Sequence, residues 1–366
     1  MNVASPAGTI RSGICAVVCI IAAAACSPDL QSPIAPAGVD GPAAALLASG
    51  SAFTGLVPLT DMGSLQYKGQ AGGLYPGRND MPGYHEKQGL NAARSIRPLN
   101  TSGLPAANGR IVLMSIGMSN ATQEWCSDSG ARPCLKRSFT GRAAADAAVN
   151  HSTLVVVNGA RPGGVASNWI SPNLPDYDRI RTTVLAPQSL TEKQVQVIWM
   201  KIVHYGPTVS MPSPSSDAMN LLAKNGQILR ALRKRYPNLQ QVFLASRIYG
   251  GYTTHPANPE PYAYEGAFAV RWTIEAQVKQ RFWGIIDPVA GNLSYPGTVP
   301  WIAWGPYFWA DGIRPRSDGL IWRVDDLEND GIHPSASGEL KIARMLLDFF
   351  KTTPVTSCWF LAGRTC

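Results

Sequence analysis

Ile111-Val112-Leu113-Met114-Ser115-Ile116-Gly117 is the stretch that decides the fold. Its first four residues are apolar without alternation, and the run ends at a glycine, so it reads as a strand buried on both faces. Working outward, Thr153-Leu154-Val155-Val156-Val157 repeats the pattern and again runs into a glycine, Gly159. Residues 195–200 and 241–245 are the third and fourth such runs. Helical patterns separate or flank them: a short one at 82–95, an alanine-rich one at 137–149, then 217–235, 267–280 and 335–351. In residues 217–235, Met219, Leu222, Ile228 and Leu232 recur at helical spacing. Non-alternating strands separated by helices at near-even intervals predict an α/β fold, a central parallel sheet covered on both faces. In such sheets the chemistry gathers at the carboxyl ends of the strands, so the residues just after each strand are the candidates for one shared site.

The composition fits that class and excludes others. Of 366 residues, 45% are hydrophobic and only 15% charged, against about 25% charged in ordinary domains. Disorder along the whole chain is excluded by the apolar content, and no collagen or coiled-coil period appears. The 35 Gly and 29 Pro make the chain loop-rich. The net charge of +8 raises nucleic acid as a partner. However, the densest basic run, Arg230, Arg233, Lys234 and Arg235, closes a helix, where cations favour the helix dipole. No RNP, zinc-finger or basic-zipper pattern accompanies it, so no nucleic-acid partner is expected.

Residues 1–26 read as an export signal, with Arg11 as the positive region and an apolar run from Ile14 to Ala25 that is shorter than the roughly 20 residues a membrane span needs. Ala23-Ala24-Ala25-Cys26 resembles a bacterial lipobox, which makes Cys26 the lipidated residue and the lipid a membrane anchor in the cell envelope. Cleavage at an Ala-x-Ala site with secretion is the alternative. Residues 27–54, rich in Pro, Ala, Gly and Ser, read as a tether, and 55–366 as a single domain with an N-terminal extension. Of seven cysteines, two leave with the signal and Cys26 takes the lipid. Cys126, Cys134, Cys358 and Cys366 remain as two close pairs. Disulfides suit an oxidising compartment; zinc ligation competes, without the tight spacing that zinc sites favour.

Three segments supply chemistry: Gly117-Met118-Ser119-Asn120 after the first strand, Asn158 to Gly164 after the second, and Asp330-Gly331-Ile332-His333-Pro334-Ser335 before the last helix. Each alone has a plain structural reading as a cap, a turn or a solvated loop. Together they hold the parts of an acyl-transfer site, because a weak alcohol nucleophile needs a base and that base needs a partner to fix its tautomer. An aspartate three residues before a histidine can fold back onto one ring nitrogen and leave the other for the serine.

These blocks resemble the SGNH (GDSL-like) hydrolase superfamily over roughly residues 108–352. The resemblance implies a flavodoxin-like three-layer α/β/α sandwich and ester hydrolysis, commonly on lipids or acetylated carbohydrates. It makes Ser119 the nucleophile, His333 the base and Asp330 its partner, and places the N–H groups of Ser119 and Gly163 in the oxyanion hole. No cofactor is implied. Two departures stand out. Met118 replaces the aspartate that usually precedes the serine. The Asn expected after the third strand is missing from Met200-Lys201-Ile202-Val203-His204-Tyr205. Losing such a donor typically costs about 2.7–4 kcal/mol of transition-state stabilisation, so Asn168, Lys201 or His204 substitutes, or the enzyme is slow, or catalysis has been lost.

The other histidines, His85, His151, His204 and His255, lack metal-site spacing, and no P-loop or dinucleotide fingerprint is present. Tyr295, Trp301, Trp304, Tyr307, Phe308, Trp309 and Trp322 crowd a Pro- and Gly-rich stretch; they form either sugar-stacking loops or, the favoured reading, a satellite core. The expectation is a serine esterase acting on an acylated small molecule or glycan, with acetyl as the expected acyl group. The rival is a catalytically decayed surface lipoprotein that binds glycans.

Overall fold

The computed structural model describes residues 52–127, 132–253 and 255–366. The signal, Cys26 and all but the last three residues of the expected tether lie outside them. Thr54, the last tether residue, is docked: its N–H and its hydroxyl both donate to Asp311 Oδ1 at 2.6 Å.

After a two-residue hairpin, β1 (Gln66–Tyr67) and β2 (Gln70–Ala71), come the strands of the central sheet. These are β3 (Ile111–Gly117), β4 (Leu154–Asn158), β5 (Val195–Lys201), β6 (Gln241–Ala245) and β7 (Trp301–Trp304). They are all parallel, in the order β4-β3-β5-β6-β7. This is the flavodoxin-like order, whose switch point lies at β3, where the chain first pairs on one side and then crosses to the other. Every residue of β3, β5, β6 and β7 is buried, as unbroken apolar runs between two helical layers require.

The helices are α1 (Gly83–Ser95), α2 (Ser119–Trp125), α3 (Phe139–Ala145), α4 (Pro175–Arg179), α5 (Asp217–Arg235), α6 (Tyr262–Trp283), α7 (Ala336–Thr352) and α8 (Pro354–Phe360). One layer holds the packed pair α5 and α6; α1, α3, α7 and α8 pack among themselves in the other. An aromatic cluster joins that second layer to the sheet: Trp125 stacks on Trp199 at 5.1 Å and meets Phe139 at 4.4 Å, and Phe350 lies edge-on to Phe243.

The stretch expected as Pro- and Gly-rich loop contains β7, a fifth strand that the sequence reading passed over. Its four residues are too few, and too rich in tryptophan, to stand out as a β-branched run. Trp301, Trp304, Tyr307, Phe308, Trp309 and Trp322 are buried and Tyr295 packs against the core, so these aromatics are core and not sugar platforms. β7 is an edge strand with a satisfied outer side: Gln277 accepts the Ile302 N–H at 2.9 Å, and His85 Nε2 donates to the Ile302 carbonyl at 2.8 Å.

The arginines at the basic end of α5 are spent internally. Arg230 donates to the Ala290 carbonyl, Arg233 to those of Pro237 and Leu239, and Arg235 pairs with Asp178 and Glu192. Both expected cysteine pairs are disulfides, Cys126–Cys134 and Cys358–Cys366.

Candidate active site

β3 delivers its last residue, Gly117, into a crowded position. A Cβ there would lie 2.3 Å from the Lys201 carbonyl oxygen and 2.7 Å from Ala121 Cβ, so only glycine lets the chain turn from β3 into α2 at this point. Two residues later Ser119 is the first residue of α2, so its N–H has no acceptor within the helix. The segment after β4 closes against the same turn: the Arg161 N–H donates to the Gly117 carbonyl at 3.2 Å. Two residues further on, the Gly163 N–H is accepted by no protein group among the described residues.

The loop before α7 supplies the other partners. Asp330 Oδ1 accepts the N–H groups of Ile332 and His333 at 2.9 and 3.0 Å, folding the loop back on itself. Gly331 has φ +65°, and a Cβ on it would meet the Tyr252 carbonyl at 2.6 Å, so this turn too requires glycine. The result is an unbroken chain: Asp330 Oδ2 lies 2.5 Å from His333 Nδ1, and His333 Nε2 lies 2.7 Å from Ser119 Oγ. A carboxylate accepts, so Nδ1 carries the proton and Nε2 is left to take one from the serine. Burial raises the Asp330 pKa, but the two amides and the histidine ring outweigh it and hold the carboxyl below its usual range. The Asp330 and His333 side chains are 40% and 30% exposed, so the site opens to solvent.

The three substitute oxyanion donors fare differently. Lys201 Nζ is fully buried and pairs with Glu124 of α2 at 2.5 Å. Burial pulls the lysine down to about 8 and pushes Glu124 up, each partly offset by the other. His204 is engaged at both ring nitrogens, with Lys224 at 2.9 Å and Asp217 at 3.6 Å. Asn168 ends a 3-10 turn after β4, half-buried, and its side chain makes no hydrogen bond among the described residues. That turn touches the segment after β5, because the Ala166 N–H donates to the Val203 carbonyl.

Two buried residues at the site, Asn120 of the serine block and Arg247, make a contact that no local spacing shows. Asn120 Nδ2 donates to the Ile332 carbonyl at 2.8 Å, and its Oδ1 accepts from Arg247 Nη1 at 2.5 Å. Arg247 Nη2 also reaches the Ile332 carbonyl, at 3.4 Å. Arg247 follows β6, and the rule that sites collect after strand ends could have flagged it. At the end of β4, Asn158 Oδ1 accepts from Ser115 Oγ at 2.7 Å, while its buried Nδ2 has no partner among the described residues. Among the described residues no group of three or more His, Cys, Asp or Glu could hold a metal ion.

No protein-family model matches the sequence, and no curated protein matches it. Solved structures similar to it include the salicylyl-acyltransferase SsfX3 from a tetracycline biosynthetic pathway, 16% identical, with a TM-score of 0.35. That match covers 69% of this chain and 58% of the acyltransferase, so the chain spans less than two thirds of its length. A two-domain esterase active on acetylated mannans is 11% identical, covering 75% of this chain and 54% of that one at a TM-score of 0.36. An extracellular lipase from Streptomyces rimosus is 11% identical, covering 64% and 99% at a TM-score of 0.29.

Proposed function

We propose that the chain is a serine hydrolase of the SGNH type, cleaving acyl esters through Ser119. The observation that carries this reading is the continuous Asp330–His333–Ser119 chain at 2.5 and 2.7 Å. In the reaction, Ser119 Oγ bonds to the acyl carbonyl carbon while His333 Nε2 takes the hydroxyl proton. Negative charge builds on the carbonyl oxygen, where the N–H groups of Ser119 and Gly163 receive it. The tetrahedral adduct collapses, the C–O bond to the alcohol breaks, and His333 returns its proton to the leaving oxygen. Water, deprotonated by the same nitrogen, then attacks the acyl-serine and releases the carboxylic acid and free enzyme. Asp330 stays ionised throughout, fixing the ring tautomer and stabilising the imidazolium.

The open site favours small acyl groups, acetyl first, carried on a bulky alcohol such as a sugar. A long acyl chain would need a deep apolar groove, and two clefts among the described residues, of 440 and 260 Å³, are lined by residues other than the triad. The decayed-scaffold alternative calls for a serine and histidine beyond hydrogen-bond reach, and a 2.7 Å separation speaks against it.

The decisive experiment is labelling of the folded protein with a fluorophosphonate probe, alongside hydrolysis of p-nitrophenyl acetate. Labelling and turnover that both vanish in Ser119→Ala support the reading. Absence of both in the unsubstituted protein, or labelling that persists in the variant, overturns it. Export and acylation of Cys26, with secretion as the alternative, rest on residues 1–26, and the two disulfides fit an oxidising compartment. Mass spectrometry of the mature N-terminus distinguishes a lipidated cysteine from a simple cleavage product.

A further inference from the structure

Two clefts lie side by side along α6, apart from the catalytic loops. One has a volume of 440 Å³ and is walled by Arg271 and Trp272; the other, of 260 Å³, is walled by Tyr84 and Trp283; Glu275 and Lys279 line both. Positions 272, 275, 279 and 283 are spaced three and four apart, so they form one stripe down the helix. At 1.5 Å per residue the stripe runs about 16 Å, long enough for several linked rings.

The stripe has the chemistry of a sugar-binding surface. Trp272 is half-buried and held by its Nε1–H, which donates to Gln70 Oε1 at 3.1 Å, so its ring is a fixed platform. Trp283 at the other end is 61% exposed, and Tyr84 across the cleft is 44% exposed and packed against Phe282 at 4.2 Å. Aromatic faces take the C–H faces of sugar rings, and rigid rings lose little entropy on binding. Between the platforms Glu275 and Lys279 pair at 2.7 Å, offering an acceptor and a donor to hydroxyl groups. Four cations and two carboxylates line the two clefts: Lys68, Arg78, Arg271 and Lys279 against Glu275 and Asp287. Lys68 is taken by Glu265 and Lys279 by Glu275, so half of these cations are neutralised and the lining is mixed, not a basic patch built for an anionic lipid surface or a charged polymer.

We propose that this stripe is an accessory cleft for a neutral polysaccharide chain, separate from the catalytic centre. The inference goes beyond the hydrolase reading and stands without it, because no residue of the stripe belongs to the catalytic loops. Such a cleft would hold the enzyme on a polymer while Ser119 works on its substituents.

The test is native electrophoresis of the Ser119→Ala protein, which consumes no substrate, through gels containing xylan, glucomannan or hydroxyethyl cellulose. The expected result is retardation by at least one polymer, with the apparent Kd raised about tenfold in Trp283→Ala, as loss of one aromatic contact predicts. Trp283→Phe should restore part of it. Because the Trp283 side chain is exposed, its replacement leaves the core intact; Tyr84→Ala is the second variant and should weaken binding as well. Retardation by none of the three polymers, or retardation unchanged in both alanine variants, overturns the proposal. So does sedimentation with phosphatidylcholine–phosphatidylglycerol vesicles that is lost in Trp283→Ala while the gels show nothing, because the surface would then be a membrane contact. Hydrolysis of p-nitrophenyl acetate by the unsubstituted protein reports separately on the hydrolase reading.

Discussion

Arg247 donates to Asn120 at 2.5 Å, and this buried contact ties the segment after β6 to the residue beside the nucleophile. Asn120 passes the tie on to the Ile332 carbonyl, one residue from the histidine. One amide side chain therefore fixes the helix that carries Ser119 relative to the loop that carries His333. Both Asn120 and Arg247 are almost fully buried.

Replacing Asn120 with alanine strands a buried guanidinium donor and leaves the Ile332 carbonyl only its longer contact with Arg247. The expected cost is about 1–3 kcal/mol of folding stability. Because the two catalytic segments lose their common brace, kcat for p-nitrophenyl acetate should fall roughly 10- to 100-fold with little change in KM. Urea unfolding and steady-state kinetics on the same preparation check both. A drop in stability with unchanged kcat would make the contact purely structural.

Asp330 leads to a prediction about pH and tautomer. Its carboxyl is held below the usual range, so it stays ionised at pH values where an ordinary aspartate begins to take up its proton. Protonation of Asp330 should therefore not enter the acid limb of kcat/KM as a second proton. In Asp330→Asn the side-chain amide can present a donor to Nδ1 and favour the wrong tautomer, and kcat should fall by roughly 10²–10⁴. The pH–rate profile of the two proteins is the measurement, and an acid limb requiring two protons would contradict the assignment.

Local patterns explain which parts of this site could be read from the chain. Asp330 and His333 are three residues apart and Ser119 follows a legible strand, so their chemistry is written in short segments. The parallel sheet was legible for the same reason, since β3 to β6 are contiguous apolar runs. Arg247 and Asn120 are 127 residues apart, and Lys201 and Glu124 are 77 apart. Their pairing depends on the tertiary packing of α2 against the sheet, which no spacing rule records. Lys201 illustrates the point: it sits at the end of β5 and so seemed free to face the crevice, but Glu124 takes its charge. β7 was hidden because its outer hydrogen bonds go to Gln277 and His85 and its tryptophans resemble a binding loop.

The Lys201–Glu124 pair allows the missing oxyanion donor to be tested without ambiguity. Removing one partner alone, as in Lys201→Met, leaves an uncompensated buried charge and should cost about 3–5 kcal/mol. The double variant Lys201→Met with Glu124→Leu removes both charges and should recover most of that loss, as read by urea unfolding. If Lys201 only balances Glu124, the double variant keeps kcat within a few-fold of the parent. A recovered fold with kcat still down by roughly 10²–10³ would instead make Lys201 a donor to the oxyanion.

His85 makes stability depend on pH at a place remote from the serine. Burial lowers its pKa from 6.5 to about 4, with the Ile302 carbonyl partly offsetting the effect. A histidine with a depressed folded pKa binds its proton more readily when unfolded, so stability is complete above about pH 6.5 and falls as pH drops toward 4. At 1.36 kcal/mol for each unit, the loss across that window is of order 3 kcal/mol for this nearly inaccessible ring. His85→Gln keeps a donor within reach of the Ile302 carbonyl but cannot titrate. Its unfolding free energy should therefore change less between pH 7 and pH 4 than that of the parent, even if it is lower at pH 7. Parallel pH dependences in the two proteins would assign the acid sensitivity to other groups and leave His85 only its hydrogen bond to the sheet edge.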